Sequence, residues 1–149
     1  MAGFVLTSPS FDEGGAIPTR HTCDGADVSP ALTWAGAPQG TVSLALILDD
    51  PDANGFIHWV VVDIPGGASS SLTEGLTGTD PQLQGRNDFG RSGYGGPCPP
   101  GGTHHYRFTL WALSARLNLS GTPTAAQVRT AFSTRILGQT TLTGTYTRK

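Results

Sequence analysis

The stretch from Gly90 to Gly102 is the sequence feature that most limits how this chain can fold. Most of its residues are glycine or proline, and it leads into His104-His105-Tyr106 and an apolar run. Proline fixes the backbone φ angle and glycine allows close approach to a ligand, so we expect a stiff loop whose N–H groups suit an anion. Alternate strand residues share a face, so His104 and Tyr106 should point to one side and His105 to the other. An isolated loop of this kind is more often a structural turn than a binding site.

Composition predicts a single domain that is rich in turns. The chain has 149 residues, among them 21 glycines and 11 prolines, and only 13% of its residues are charged. This length suits one domain over residues 1–149 with a sizeable core. The net charge of -2 and the pI near 6.0 argue against partners that need a basic surface, so we expect no binding to nucleic acid or to membrane surfaces. No apolar run is long enough to span a bilayer.

The first residues and the two cysteines concern the cellular compartment. The start of the sequence lacks the basic and long apolar regions of a signal peptide, so a cytoplasmic location is the default expectation. Cys23 and Cys98 are then expected to be thiols. They would form one bridge if the protein met an oxidising compartment.

Apolar patterns predict a mainly β fold. Six strands are expected, at Phe4–Ser8, Ala31–Trp34, Thr41–Leu48, Ile57–Ile64, Tyr106–Leu113 and Thr140–Thr147. The third has apolar residues on both faces, which is typical of a central, buried strand. Six residues are expected in or near the core: Leu44, Leu46, Val60, Val62, Phe108 and Leu110. The predicted fold class is a two-sheet antiparallel β-sandwich with one or two short helices.

One helix and one long loop complete the predicted architecture. Thr122 suits an N-cap, and Gly138 suits a C-terminal stop. Between them, apolar residues recur every four positions, at Val128, Phe132 and Ile136. The segment Pro65–Phe89 is polar and shows no period, so we expect a long surface loop there.

A second motif follows the third predicted strand. Three acids lie there, Asp49, Asp50 and Asp52. Acids at a strand end beside a histidine indicate a site, although acids at such positions also shape turns by bonding to their own backbone. His58 opens the return strand and is expected to share a face with Val60 and Val62. At the rim of an apolar face, a lone histidine is more often a buried structural residue than a ligand.

Together these motifs resemble the two signature regions of the phosphatidylethanolamine-binding protein family. The first region is Asp50-Pro51-Asp52-Ala53 with His58-Trp59, and the second is Gly93-Tyr94-Gly95-Gly96-Pro97-Cys98-Pro99-Pro100 with His104-His105-Tyr106. The bacterial and archaeal branch, the Raf-kinase-inhibitor-like or YbhB/YbcL-type proteins, is the closer match. Further similar segments follow the same order along the chain: Thr22–Gly25, Val28–Pro30, Asn87–Gly90 and Leu142–Tyr146.

Two positions depart from the pattern of that family. Asn54 stands where the family usually has proline, and His105 stands where it usually has arginine. The pocket residues themselves match, so we expect the departures to change the shape and charge of the pocket rim.

The resemblance implies a small pocket that binds phosphate-like anions and phospholipid head groups. Carried over by position, its residues are Asp50, His58, Gly96, Pro99, Pro100, His104 and Tyr106. Histidine rings, a tyrosine hydroxyl and loop N–H groups are donors for an anion, while a carboxylate can orient a histidine or receive an ammonium group. A site with partners of both signs suits a zwitterion or a mono-anion better than a bare metal ion.

The resemblance also favours a binding module over an enzyme. Members of the family inhibit kinases or proteases, so the expected partners are a small anionic or phosphorylated ligand and a kinase or protease, with a second copy of the chain as a further candidate. No cofactor, metal or catalytic residue is expected in this interpretation. Two alternatives stay open. One is a hydrolase with Cys98 as nucleophile and a pocket histidine as base, and the other is a metal site formed by Asp50, Asp52, His58 and His104.

Overall fold

The computed structural model describes residues 3–77 and 82–148 and contains two antiparallel sheets. The elements in chain order are β1 (Val5–Thr7), β2 (Leu32–Ala35), β3 (Ser43–Asp50), β4 (Phe56–Pro65), β5 (Ser70–Leu72), β6 (Leu83–Gln84), β7 (Gly102–Leu113), α1 (Ala125–Phe132) and β8 (Ile136–Arg148). Two 3₁₀ turns lie at Thr19–His21 and Pro51–Ala53. One sheet has the order β1-β2-β5 and the other β6-β4-β3-β7-β8, which confirms the predicted mainly β, two-sheet class. Within the described residues, no helix has the length and apolar character needed to cross a membrane.

The larger sheet carries apolar residues on both faces because it packs against two different layers. Every residue of its central strand β3 is buried. On one face, Leu44 and Leu46 contribute to the core between the two sheets. On the other face, Ala45 and Ile47 pack in a second cluster together with α1. All six residues predicted for the core are buried.

The sheet contains a β-bulge at His58 that the sequence pattern does not reveal. The register of β4 against β3 slips by one residue at this position, so His58 is the extra residue. Val60 and Val62 pack in the cluster with α1, whereas the His58 ring packs edge-on against Tyr106 in the core between the sheets. The prediction that His58 shares a face with Val60 and Val62 is therefore wrong, because a bulge reverses the alternation.

The helix is shorter than the apolar stripe predicts. Its N-cap is Thr124 rather than Thr122, and a reciprocal pair of bonds between Thr124 and Gln127 closes its first turn. The helix ends at Phe132, and Ile136 already pairs with β7 as the first residue of β8. Sheet pairing therefore overrides the helical spacing, and the predicted stop at Gly138 lies within a strand.

The N-cap assignment has a direct test in stability. Replacing Thr124 by alanine removes the acceptor for the N–H of Gln127, so we expect the free energy of unfolding to fall by about 1 kcal/mol. The matched control is Thr122→Ala, at an exposed position just outside the cap, which should change it by less than about 0.5 kcal/mol. Urea denaturation measures both variants, and equal losses would contradict the assignment.

The segment Pro65–Phe89 is more structured than predicted. It contributes the short strands β5 and β6, so the expected long loop is wrong in part. Asn87 in this segment is polar but buried, and its side chain is satisfied there because it donates to the carbonyl of Gly93 and accepts from the N–H of Phe89. Residues 78–81 of this segment lie outside the described residues.

The two cysteines are bonded to each other. Cys23 and Cys98 form a disulfide across a sequence separation of 75 residues, so the expectation of two thiols is wrong. The loops that carry them are already in contact, because the N–H of Cys23 donates to the carbonyl of Pro97 (3.1 Å) and the hydroxyl of Tyr94 donates to the carbonyl of His21 (2.6 Å). Contacts between distant parts of the chain thus bring the two sulfurs together.

Candidate functional site

A cavity of about 210 Å³ lies where the ends of β3, β4 and β7 meet the Gly/Pro-rich loop. Its polar lining consists of Asp50, His58, His104 and Tyr106. Its other lining residues are Ala53, Phe56, Phe89, Cys98, Pro99 and Pro100. The structure thus brings together six of the seven site residues that the resemblance implies.

Asp50 and His104 form a close pair in this cavity. The Asp50 carboxylate lies 2.6 Å from Nδ1 of His104, and its other oxygen accepts from the N–H of Asp52, which caps the turn after β3. Asp50 is only 3% exposed. Because a carboxylate only accepts, Nδ1 carries the hydrogen and Nε2 of His104 is left to meet a ligand.

His58 is held by the Gly/Pro-rich loop. Its Nδ1 donates to the carbonyl of Gly95 at 2.7 Å, so its Nε2 is the second nitrogen left for a ligand. Burial lowers the pKa of His58 below its usual range, with the Gly95 bond acting in the opposite direction. The rings of Phe56, Phe89 and Tyr106 all contact the imidazole edge-on. His58 is therefore a neutral group at neutral pH, surrounded by aromatic rings.

Tyr106 supplies a neutral donor. It is fully buried, and burial together with the nearby Asp50 charge raises the pKa of its phenol, so the hydroxyl keeps its proton. The hydroxyl makes no hydrogen bond to any residue within 3–77 or 82–148. Its ring stacks on that of His104 at an angle of 24°. An oxygen acceptor on a ligand would satisfy this hydroxyl.

Gly96 has a different position from the one predicted. It is not among the cavity-lining residues, and its N–H donates to Oδ1 of Asp27 at 2.8 Å. The N–H of Gly95 likewise donates to the carbonyl of His58. A side chain at Gly95 would collide with the ring of Phe89, so this glycine allows an aromatic wall to pack closely. The loop amides therefore hold the fold here, and side chains supply the donors in the cavity.

The three acids of the second motif have three different partners. Asp49 is bonded through both oxygens to Arg107, at 3.1 and 2.8 Å. Asp52 accepts from both the ring and the backbone N–H of His105, which holds the pKa of this carboxyl below its usual range. His105 lies outside the cavity, as the strand alternation predicts. Of the three, Asp50 faces the cavity, and it also caps the turn after β3, so this one residue serves both turn formation and the site.

Sequence reasoning missed the aromatic part of the lining. Phe56 and Phe89 contact each other and His58, and the guanidinium of Arg91 lies 5.5 Å from the Phe89 ring centre. Alternation from His58 could have identified Phe56, which lies two residues earlier in the strand. No local signal identifies Phe89, because it reaches the cavity from an irregular segment.

A larger cavity of about 520 Å³ lies beside Ser29 and Tyr94. Thr77, one of its lining residues, directly precedes the undescribed residues 78–81. Its carboxylate, Asp27, is already bonded to Gly96. The smaller cavity is the better candidate site because two histidine Nε2 atoms and a tyrosine hydroxyl that could bind a ligand line it.

Comparisons with known proteins agree on one family. The family model "Phosphatidylethanolamine-binding protein" matches residues 7–147. A UPF0098 protein from Methanothermobacter thermautotrophicus is 43% identical over 149 residues, covering 96% of this chain and 98% of the relative. The Mycobacterium tuberculosis protein named as lipoprotein LppC is 44% identical over 146 residues, covering 95% of this chain and 71% of its own length.

Two solved structures have the same fold. The crystal structure of a phosphatidylethanolamine-binding protein homologue from Chlamydia trachomatis superimposes with a TM-score of 0.93 at 33% identity and covers 100% of both chains. That of Escherichia coli YbcL superimposes with a TM-score of 0.89 at 35% identity, over 99% of this chain and 100% of YbcL.

Proposed function

Because this chain belongs to the phosphatidylethanolamine-binding protein family, we propose that its 210 Å³ cavity binds a small phosphate-like anion carried on an apolar or aromatic body. The observation that carries the proposal is the convergence of the His58 and His104 rings and the Tyr106 hydroxyl between carbon-rich walls. A pocket with a few placed polar groups and an apolar lining is the usual form of a small-molecule site.

The polar groups have distinct roles in this proposal. The Tyr106 hydroxyl donates to one anion oxygen at any pH below its raised pKa. Nε2 of His104 and of His58 donate to the others once each ring carries a second proton. Asp50 orients His104 and balances the charge of its imidazolium. Phe56 and Phe89 contact the body that carries the anion.

We further propose that the protein is a binding module, which acts on a kinase or protease partner when occupied. The hydrolase alternative needs a thiolate at Cys98, and the bond to Cys23 occupies that sulfur. The metal alternative needs several ligands around one point, and no three His, Cys, Asp or Glu side chains in the described part of the chain are placed to hold an ion. Neither alternative has a geometric observation in its favour.

The cytoplasmic location that the first residues lead us to expect stays a prediction. The disulfide argues against the cytoplasm, because disulfides persist mainly in oxidising compartments.

The proposal is tested with phenyl phosphate, which combines a phosphate monoester with an aromatic body. We expect His104→Ala to weaken binding at least tenfold, because it removes an anion donor and leaves Asp50 as a buried, unpaired carboxylate beside the ligand. The matched control is His105→Ala, the neighbouring histidine whose partner is the exposed Asp52, and it should change the affinity less than about fivefold.

Isothermal titration calorimetry of the parent and both variants measures these affinities. Undetectable binding to the parent, or equal effects of the two substitutions, would contradict the proposed site.

A further inference from the structure

We infer that Arg148 is a specificity-determining residue at the edge of the cavity, which binds a carboxylate carried next to the ligand's phosphate. The inference rests on the proposed function, and it specifies a carboxylate as a second charged group of the ligand beside the phosphate. It concerns a residue outside the cavity lining and both signature regions.

The sheet register places Arg148 beside the cavity. In the β7–β8 pair, His104 lies opposite Tyr146 and Gly102 lies opposite Arg148. Residues two apart share a face, so the side chain of Arg148 lies on the face that carries His104. Gly102, which lies opposite Arg148, has no side chain that could cover the guanidinium. Nη1 of Arg148 lies 3.4 Å from Sγ of Cys98, which lines the cavity.

The guanidinium of Arg148 has weak partners. A sulfur atom is a poor acceptor, and among residues 3–77 and 82–148 the nearest carboxylate oxygen, on Asp24, is 3.4 Å from Nη2. The stronger bond of Asp24 is the one it accepts from the hydroxyl of Tyr146, at 2.6 Å. No other side-chain bond of Arg148 occurs within the described ranges, and 41% of the side chain is exposed. Most of its five N–H donors are therefore open to a new acceptor.

Arg107 shows what a satisfied guanidinium in this protein looks like. It makes two hydrogen bonds to Asp49, which is 7% exposed in its side chain, at 2.8 and 3.1 Å. A ligand carboxylate could offer Arg148 the same bidentate geometry, which Asp24 does not provide while it is bonded to Tyr146.

This placement predicts which phosphate compounds the cavity prefers. A compound with only an ammonium group beside its phosphate meets the positive charge of Arg148. A compound that also has a carboxylate there gains a charge-assisted pair with it. O-phosphoserine and O-phosphoethanolamine differ by this carboxylate alone. We expect the parent to bind O-phosphoserine at least fivefold more tightly than O-phosphoethanolamine.

The test measures both compounds against four variants by calorimetry. Arg148→Gln should bring the two affinities within twofold of each other, and Arg148→Lys, which keeps the charge without the planar fork, should keep part of the preference. Asp24→Asn removes the competing carboxylate and should increase the preference. Arg129→Gln, an exposed arginine on α1, is the control and should leave the parent's preference unchanged.

The outcomes separate this inference from the proposed function. If the parent binds none of O-phosphoserine, O-phosphoethanolamine and phenyl phosphate, both the proposed function and the role of Arg148 are overturned. Binding of both compounds with equal affinity, or a preference that survives Arg148→Gln, would overturn the role of Arg148 alone. Glycerophosphoserine, a diester with the same carboxylate, separates the sources of the ligand. If glycerophosphoserine binds and its binding depends on Arg148, the ligand is a lipid head group. If glycerophosphoserine does not bind, the ligand is a free phosphate monoester.

Discussion

Replacing both Cys23 and Cys98 by serine is expected to lower the free energy of unfolding by about 4 kcal/mol. The disulfide closes a loop across 75 residues, and a cross-link of that span removes much conformational freedom from the unfolded chain. A loss of this size is a large share of the roughly 5–15 kcal/mol that stabilises a typical domain. The double variant is preferable to a single one because it leaves no unpaired thiol.

Urea denaturation provides the measurement, and the parent provides its own control. Under strong reductant the parent should unfold with the same midpoint as the double variant, and the variant should not respond to reductant. A parent that is as stable reduced as oxidised would show that the contacts of Tyr94 and Gly96 with the opposite loop hold the two segments together without the bond.

The affinity of the cavity for a permanently charged anion is expected to rise as the pH falls from 8 to 5.5, by up to about tenfold for each unit by which the anion raises the His58 pKa. Burial lowers the pKa of His58, so the ring is neutral in the empty protein at the upper end of this range. A bound anion stabilises the imidazolium and raises that pKa, so binding takes up a proton and strengthens as the pH falls. A rise of one pKa unit in the complex increases the affinity by at most about tenfold, and the full increase is reached only when His58 is also protonated in the free protein. The increase should level off once His58 is protonated in the empty protein as well.

Benzenesulfonate is the suitable ligand because its charge does not change over this range. We expect His58→Gln to reduce the pH dependence relative to the parent, while binding through His104 and Tyr106 remains. An affinity of the parent that stays constant from pH 8 to 5.5 would contradict the role given to His58.

Apolar runs predicted the strands β1 to β4, β7 and β8, and the resemblance to the family supplied the residues of the site. The central strands follow from apolar runs, and Asp50, His104 and Tyr106 meet because they lie at adjacent ends of β3 and β7. These features depend on residues that are close in the chain or paired in a regular register.

The features that the sequence did not predict depend on contacts between distant segments. The bulge at His58 comes from how β4 fits β3, and it places the ring in the core between the sheets. The disulfide depends on two loops folding together, and Phe89 reaches the cavity from an irregular segment. The position of Gly96 depends on Asp27, a residue far away in the sequence. None of these contacts has a periodic or local signature.

The most direct test of the central claim is nitrogen NMR of the imidazole rings with and without phenyl phosphate. The chain has four histidines, and two of them are internal controls. His21 is buried, with ring nitrogens 2.9 Å from the carbonyl of Val28 and 3.2 Å from the hydroxyl of Ser10, and His105 is bonded to Asp52 outside the cavity. A phosphate held in the cavity should shift the ring nitrogens of His58 and His104 and leave those of His21 and His105 nearly unchanged. Unchanged signals from His58 and His104 at a saturating ligand concentration would contradict the site.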